Sequence, residues 1–123
     1  MKGGGIQLKK LALSEIEEVL AEMPGPLAVR ARRLPVTFEG RPNAGLQADG
    51  IHADTLGLFT GAELAEEGQV VMPPQIILFL ENLWEYSGGD GEVFREEVRT
   101  TFLHELGHFF GLDEGDLFER GLE

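Results

Sequence analysis

The stretch from His104 to Gly111 constrains the fold of this chain most, because its two histidines, His104 and His108, are four residues apart. On an α-helix that spacing separates side chains by about 40° around the axis and about 6 Å along it, so both imidazoles project from one face. Two such imidazoles can ligate one metal ion. Glu105 lies on the flank of the pair, where a carboxylate reaches a water on the metal without being a ligand. The spacing therefore predicts a helix that carries a metal site and a general base.

The residues after the second histidine extend this motif. Gly111 can adopt a positive φ and end the helix, so that the chain reverses and returns toward the metal. Asp113 and Glu114 are the acids in that returning segment. The alternative interpretation is a pair of surface histidines on an ordinary amphipathic helix, but such a helix has no reason to combine them with a turn glycine and an acidic pair. The extended motif therefore indicates metal binding and leaves catalytic turnover open.

The composition excludes several kinds of partner and site. Lys+Arg 10 against Asp+Glu 22 gives a formal net charge of -12, which repels nucleic acid and anionic membranes. The excess of acid serves either solubility or the attraction of cations and basic peptides. The chain has no cysteine, so disulfides and thiolate ligands are excluded and a metal site must use His, Asp and Glu. With the motif above, these ligand types make zinc the expected cofactor.

The length of 123 residues suffices for one small domain with a single core, which we expect to span residues 1–123. The N-terminal residues Met1–Ile6 lack the apolar run of a signal peptide, and no stretch approaches the length of a membrane span. We therefore expect a soluble cytoplasmic protein. The sequence leaves its oligomeric state open.

Local patterns predict a helix near the N-terminus. Residues 1–10 contain three consecutive glycines and are expected to be a flexible or edge segment. Ser14 and Glu17 have the spacing of a capping box, and apolar residues at helical spacing follow before Pro24. The first helix is therefore predicted over residues 14–23.

Three segments are predicted as strands, with a fourth strand left open. They are residues 34–38, 56–61 and 76–80. The last is uniformly apolar, as expected of a central strand buried on both faces. The glycines of 56–61 suggest a sheet edge or a close backbone approach.

A long helix is predicted over residues 92–110, with Asp90 as its N-cap. Its apolar stripe should pack on the sheet, with the histidines on the other side; the stripe comprises Val98, Phe102, Leu106 and Phe109. Residues 117–122 are expected to form a last short helix. The predicted fold class is α+β, with a small mixed sheet of three to four strands packed on the motif-bearing helix plus an N-terminal helix.

The pattern H-E-x-x-H-x-x-G-x-x-acid, from His104 to Glu114, resembles the zincin metallopeptidases in which an acidic residue replaces the third histidine of the metzincins. The short length, the Leu-Gly-Leu-Phe segment at 56–59 and the position of the motif near the C-terminus resemble the minimal zincin-like proteins of bacteria. The resemblance implies a single zincin-like domain in which His104, His108 and Glu114 are zinc ligands. It also implies that Glu105 activates water.

A zinc-dependent peptidase is the function that this resemblance implies, with a peptide or protein as substrate. Only nine residues follow Glu114, so the expected site is shallow. The segment 56–61 would pair with the substrate through β-augmentation or be an ordinary sheet edge. The alternative is a non-catalytic metal-binding or protein-interaction domain on the same scaffold. All methionines precede His104, which removes the methionine turn of metzincins, and Asp113 or Glu119 could close a structural site as a fourth ligand.

Two further residues are candidates by type for stabilising an oxyanion. Tyr86 is the sole tyrosine, and His52 is the third histidine. Amphipathic packing is the alternative for each of them. Trp84, beside Tyr86, lines a pocket or covers the core.

Overall fold

The structure, a computed structural model, describes residues 2–60 and 74–111. Five helices and three strands lie in these two stretches. In chain order they are α1 (Lys2–Glu22), α2 (Gly25–Arg32), β1 (Val36–Glu39), α3 (Ala44–Ala48), β2 (Gly57–Thr60), β3 (Gln75–Phe79), α4 (Leu80–Tyr86) and α5 (Gly91–Phe110). The strands form one mixed sheet that packs against α5 and α1. The predicted α+β fold class is thus confirmed.

The sheet has the strand order β1-β3-β2, so β3 is central and β2 forms an edge, as predicted. β1 pairs with β3 in parallel, with Val36 opposite Ile76. β2 pairs with β3 antiparallel, with Gly57 opposite Leu78. Each observed strand lies within two residues of its predicted bounds. The described part of the chain contains no fourth strand.

The prediction for residues 1–10 and for the start of the first helix is wrong, because α1 begins at Lys2 rather than at residue 14. Leu8 and Ala12 are buried on the same face as Ile16 and Val19, so the apolar stripe continues toward the N-terminus. Burial of this stripe offsets the low helix propensity of the glycines before it. Ser14 consequently lies inside the helix and does not cap it.

Three short helices were not predicted. α2 follows Pro24 and carries a proline in its first turn, which suits a helix start. α3 is capped by Asn43, whose side chain accepts a hydrogen bond from the Leu46 amide at 2.8 Å. α4 continues directly from β3, so Leu80 begins a helix instead of ending the predicted strand. These helices have five to eight residues, which is about two turns at most. So few turns do not show a helical repeat of apolar residues in the sequence.

The long motif-bearing helix is confirmed almost to the residue as α5. Asp90 caps it, since its Oδ1 accepts from the amides of Glu92 at 2.9 Å and Val93 at 3.0 Å. Gly111 follows at φ +76°, the left-handed conformation that glycine adopts readily at a helix end. Within the predicted stripe, Val98, Phe102 and Leu106 are buried and Phe109 is half-buried. The short helix predicted at residues 117–122 lies outside the described residues.

Ion pairs join α1 to α5 on the side of α5 that faces away from the histidines. Glu15 is buried and accepts from Arg95 Nε at 3.0 Å and from Arg99 Nε at 2.7 Å. Glu18 pairs with Arg95 at 2.7 Å, and Glu22 pairs with Arg99 at 2.8 Å. The hydrogen bond from Arg99, with its positive charge, lowers the pKa of Glu22. These pairs fix the rotation of α5 relative to α1.

No helix within residues 2–60 and 74–111 combines the length and the apolar character needed to cross a membrane.

We expect Glu15→Ala to lower the free energy of unfolding by about 1–3 kcal/mol, because it leaves two partly buried guanidinium groups without their shared acceptor. Glu18→Ala is the matched control, since it removes an exposed carboxylate from the same network and should cost less than about 1 kcal/mol. Urea unfolding followed by far-UV circular dichroism measures both. Equal, small losses for the two variants would contradict the importance of the buried carboxylate.

Candidate metal centre

The last turns of α5 bring together His104, Glu105 and His108, which we call the His–Glu–His cluster. One candidate ligand atom from each residue lies within 4.8 Å of the others. The two Nε2 atoms are 3.2 Å apart, and the rings meet edge to face at 88°. His104 is half-buried and His108 is exposed, so the cluster faces solvent on one side. Within the described residues, the structure forms no other group of this kind.

The separation of the two imidazoles fits a zinc ion. Two nitrogens each about 2.0–2.1 Å from tetrahedral zinc are about 3.3–3.4 Å apart. The observed 3.2 Å between His104 Nε2 and His108 Nε2 is close to this value. The same separation also suits a hydrogen bond between the rings when one of them is the donor. Nitrogen donors from imidazole and an oxygen donor from a carboxylate are the ligand types that zinc takes in the absence of cysteine.

Glu105 points away from solvent and toward the sheet. It is only 8% exposed, although it lies between two histidines that have access to water. Burial raises the pKa of Glu105, while the charges of His108 and His104 and a hydrogen bond from the Phe59 backbone amide oppose that rise. A carboxylate with a raised pKa holds a proton more readily than an ordinary glutamate does. Glu105 is thus a stronger base than an ordinary exposed glutamate.

β2, the strand next to Glu105, has an edge that pairs with no other strand of residues 2–60 and 74–111. The Phe79 amide donates to the Leu56 carbonyl at 2.9 Å, and paired residues exchange such bonds at every second position of an antiparallel ladder. Leu58 and Thr60 therefore bond to β3, whereas Gly57 and Phe59 direct their amides and carbonyls outward. This direction explains how the Phe59 amide reaches the carboxylate of Glu105.

The loop that leads into β2 is held by a residue that the sequence did not single out. Asn82 on α4 is 4% exposed, and its amide donates to the carbonyls of Ala53 at 2.8 Å and Thr55 at 2.9 Å. Its Oδ1 accepts from Arg41 at 2.7 Å. The sequence did contain a signal for this buried residue. Residues 76–83 are apolar except for Glu81 and Asn82. Such a buried amide needs partners, which here fix the edge strand.

Neither of the two oxyanion candidates is a member of the cluster. Tyr86 is 66% exposed and ends α4, shortly before the N-terminus of α5. The cluster is near the other end of α5, about 15 Å along the helix from Phe94. His52 is exposed in the loop before β2 and is not part of the cluster. Trp84 packs edge to face on buried Phe94 at 5.8 Å, which favours core packing over a pocket.

Three acidic residues of the sequence prediction lie outside the described residues. They are Asp113, Glu114 and Glu119. The assignment of Glu114 as third ligand therefore stays a prediction.

No curated protein matches the chain significantly. The family model described as zincin-like metallopeptidase matches residues 31–122, which include β1, the edge strand β2 and the entire motif-bearing helix. The His–Glu–His cluster has the order and spacing of the H-E-x-x-H motif. The chain belongs to the zincin-like metallopeptidase family.

Proposed function

We propose that the protein is a zinc-dependent peptidase that hydrolyses peptide bonds of extended substrates at a shallow site. The separation of 3.2 Å between the two histidine Nε2 atoms, beside a buried carboxylate, is the observation that carries this proposal. Membership of the zincin-like metallopeptidase family supports it.

His104 and His108 would hold the zinc ion, with Glu114 as the third protein ligand. Gly111 supports this assignment, because its positive φ ends the helix three residues before Glu114. Bound zinc would supply a Lewis acid that polarises the carbonyl and lowers the pKa of water to about 7.

Glu105 would take the proton from the attacking water and pass it to the leaving amine. Its burial restricts the rotamers of the side chain and raises its pKa, and both effects suit proton transfer. The adjacent histidines reach solvent, so water has access to the same place. A protonated Glu105 would also lie within the cluster, where it can return the proton to an amine without diffusing away.

The edge of β2 that faces away from β3 would bind the substrate as an added strand. Gly57 offers an outward amide and carbonyl and Phe59 offers an outward carbonyl, which are the groups that a peptide backbone pairs with; the Phe59 amide is bonded to Glu105. The His–Glu–His cluster lies beside this edge, since Glu105 contacts Phe59. Backbone pairing selects extended peptides and leaves the sequence of the substrate to side-chain contacts.

A non-catalytic metal-binding domain is the second candidate. It is favoured by the position of Tyr86, which ends α4 shortly before the N-terminus of α5, because the cluster that would need an oxyanion donor lies near the other end of α5. A structural site would be closed by four protein ligands and would leave no place for substrate.

Zinc affinity should depend on two of the three histidines. His104→Ala and His108→Ala each remove one ligand and should each cost most of the affinity. His52→Ala is the matched control and should bind zinc as the unmodified protein does, because His52 lies outside the cluster. Competition with a fluorescent zinc chelator measures all three proteins. An equal loss in His52→Ala would refute the assignment.

Glu105→Gln should keep zinc and lose peptide cleavage by about 10²–10⁴-fold, the usual contribution of a general base. Cleavage of a peptide library by zinc-loaded protein, with metal analysis of the same samples, measures both properties. Equal cleavage by the two proteins would show that another group is the base. Full zinc occupancy without cleavage in either protein would favour the non-catalytic domain.

The two acids beyond Gly111 should respond differently to substitution. Glu114→Ala leaves two protein ligands and should cost most of the zinc affinity, whereas Asp113→Asn should weaken binding by about 10- to 100-fold at most. Chelator competition again gives both affinities. If Asp113→Asn removes the metal and Glu114→Ala retains it, the third ligand is Asp113.

A further inference from the structure

We propose that Gly57 on β2 and Thr101 on α5 are positioning residues, whose contact sets the distance between the peptide-binding edge and the general base. This proposal rests on the proposed peptidase function for its consequence in catalysis. Its structural part concerns only how β2 lies on α5, so the two can be tested separately.

The backbone of Gly57 lies against the side chain of Thr101. A Cβ atom at Gly57 would be 2.5 Å from Thr101 Cγ2 and 3.2 Å from Leu78 Cδ2. The φ angle of Gly57 is not positive, so the backbone conformation does not require a glycine at this position. Space is therefore the constraint, and a side chain at residue 57 requires a shift of Thr101 or of the strand; we expect the strand to shift, because the β-branched Thr101 side chain has few rotamers in a helix.

This contact is the first of three along one face of α5. Thr101, Glu105 and Phe109 follow at intervals of four residues and thus share that face. Gly57 meets Thr101, the Phe59 amide bonds to Glu105, and the Phe59 ring meets the Phe109 ring at 5.8 Å. Gly57 and Phe59 are two residues apart on the same face of the strand. The separation at Gly57 consequently determines whether the Phe59 amide reaches Glu105.

Enlarging residue 57 should displace the edge by a distance that matters for catalysis. Ordinary van der Waals contact for a Cβ begins at 3.4 Å, so the 2.5 Å contact with Thr101 Cγ2 must open by roughly 1 Å. A shift of that size in a reacting group can reduce a rate by about 100-fold. Both the substrate edge and the base would be affected, because Phe59 contacts Glu105 directly.

The test is a rescue experiment on zinc-loaded protein. Gly57→Ala should lower kcat/KM for a cleaved peptide by about 10- to 100-fold at unchanged zinc affinity. Adding Thr101→Ser to this variant removes the methyl group Cγ2 and should recover most of the lost kcat/KM. The double variant is compared with the single variant Thr101→Ser. Gly91→Ala, at the start of α5, is the control for replacing a glycine, because nothing lies within 4 Å of its Cβ position.

Amide hydrogen exchange gives a readout that does not depend on activity. In Gly57→Ala, the Phe59 amide should exchange about tenfold faster or more, since its bond to Glu105 lengthens. The amides of Leu58 and Thr60, which bond to β3, should keep their protection. Thr101→Ser should restore the slower exchange of Phe59 in the double variant.

Several outcomes would overturn the proposal. Loss of protection at Leu58 and Thr60 would show that the sheet itself is disrupted, and failure of Thr101→Ser to rescue would show that the contact is not the cause. Unchanged exchange at Phe59 would also refute it. If the unmodified protein cleaves no peptide, the peptidase function fails, while the exchange experiment still decides whether Gly57 and Thr101 position Phe59 on Glu105.

Discussion

The arrangement around the site depends on the burial of one carboxylate between a helix and the edge of a sheet. An ionised glutamate in such a place is costly unless hydrogen bonds and opposite charges offset the loss of water. At Glu105 the offset comes from two sources, the backbone amide of Phe59 and the neighbouring histidines. The burial still prevails, since the pKa stays raised. The structure therefore keeps an ionisable group buried, although its burial costs free energy of folding.

Two opposite sides of α5 make different contacts. Arg95 and Arg99 lie about 140–180° around the helix from His104 and are bound to carboxylates of α1. The opposite side carries the histidines. Because buried Glu15 joins both arginines, α5 cannot rotate without breaking these pairs. The ion pairs on one side thus fix the orientation of the histidine side chains on the other.

The sequence predicted those features that depend on neighbouring residues. Asp90, the histidine spacing and Gly111 are local signals, and α5 was predicted almost to the residue. The start of α1 was wrong because burial of Leu8 and Ala12 against distant elements outweighs the cost of the glycines. The contacts of Asn82 with Ala53 and Thr55, and of Gly57 with Thr101, join residues 27 to 44 positions apart. A repeat of apolar residues along the sequence does not indicate which distant residues are in contact. The position of the edge strand could therefore be seen only in the structure.

Charge distribution links the composition to the site. In the described stretches, Arg32, Arg41, Arg95 and Arg99 are all ion-paired, which removes much of the positive charge that could oppose a cation. None of these pairs involves a residue of the His–Glu–His cluster. A net charge of -12 attracts a divalent cation over distances of about the Debye length, roughly 8 Å at physiological ionic strength. At the cluster itself, the charges of His108 and His104 act at short range, where they lower the pKa of Glu105. The acidic composition therefore acts on cations at long range, whereas the His–Glu–His cluster is the place where imidazole and carboxylate groups converge within the described residues.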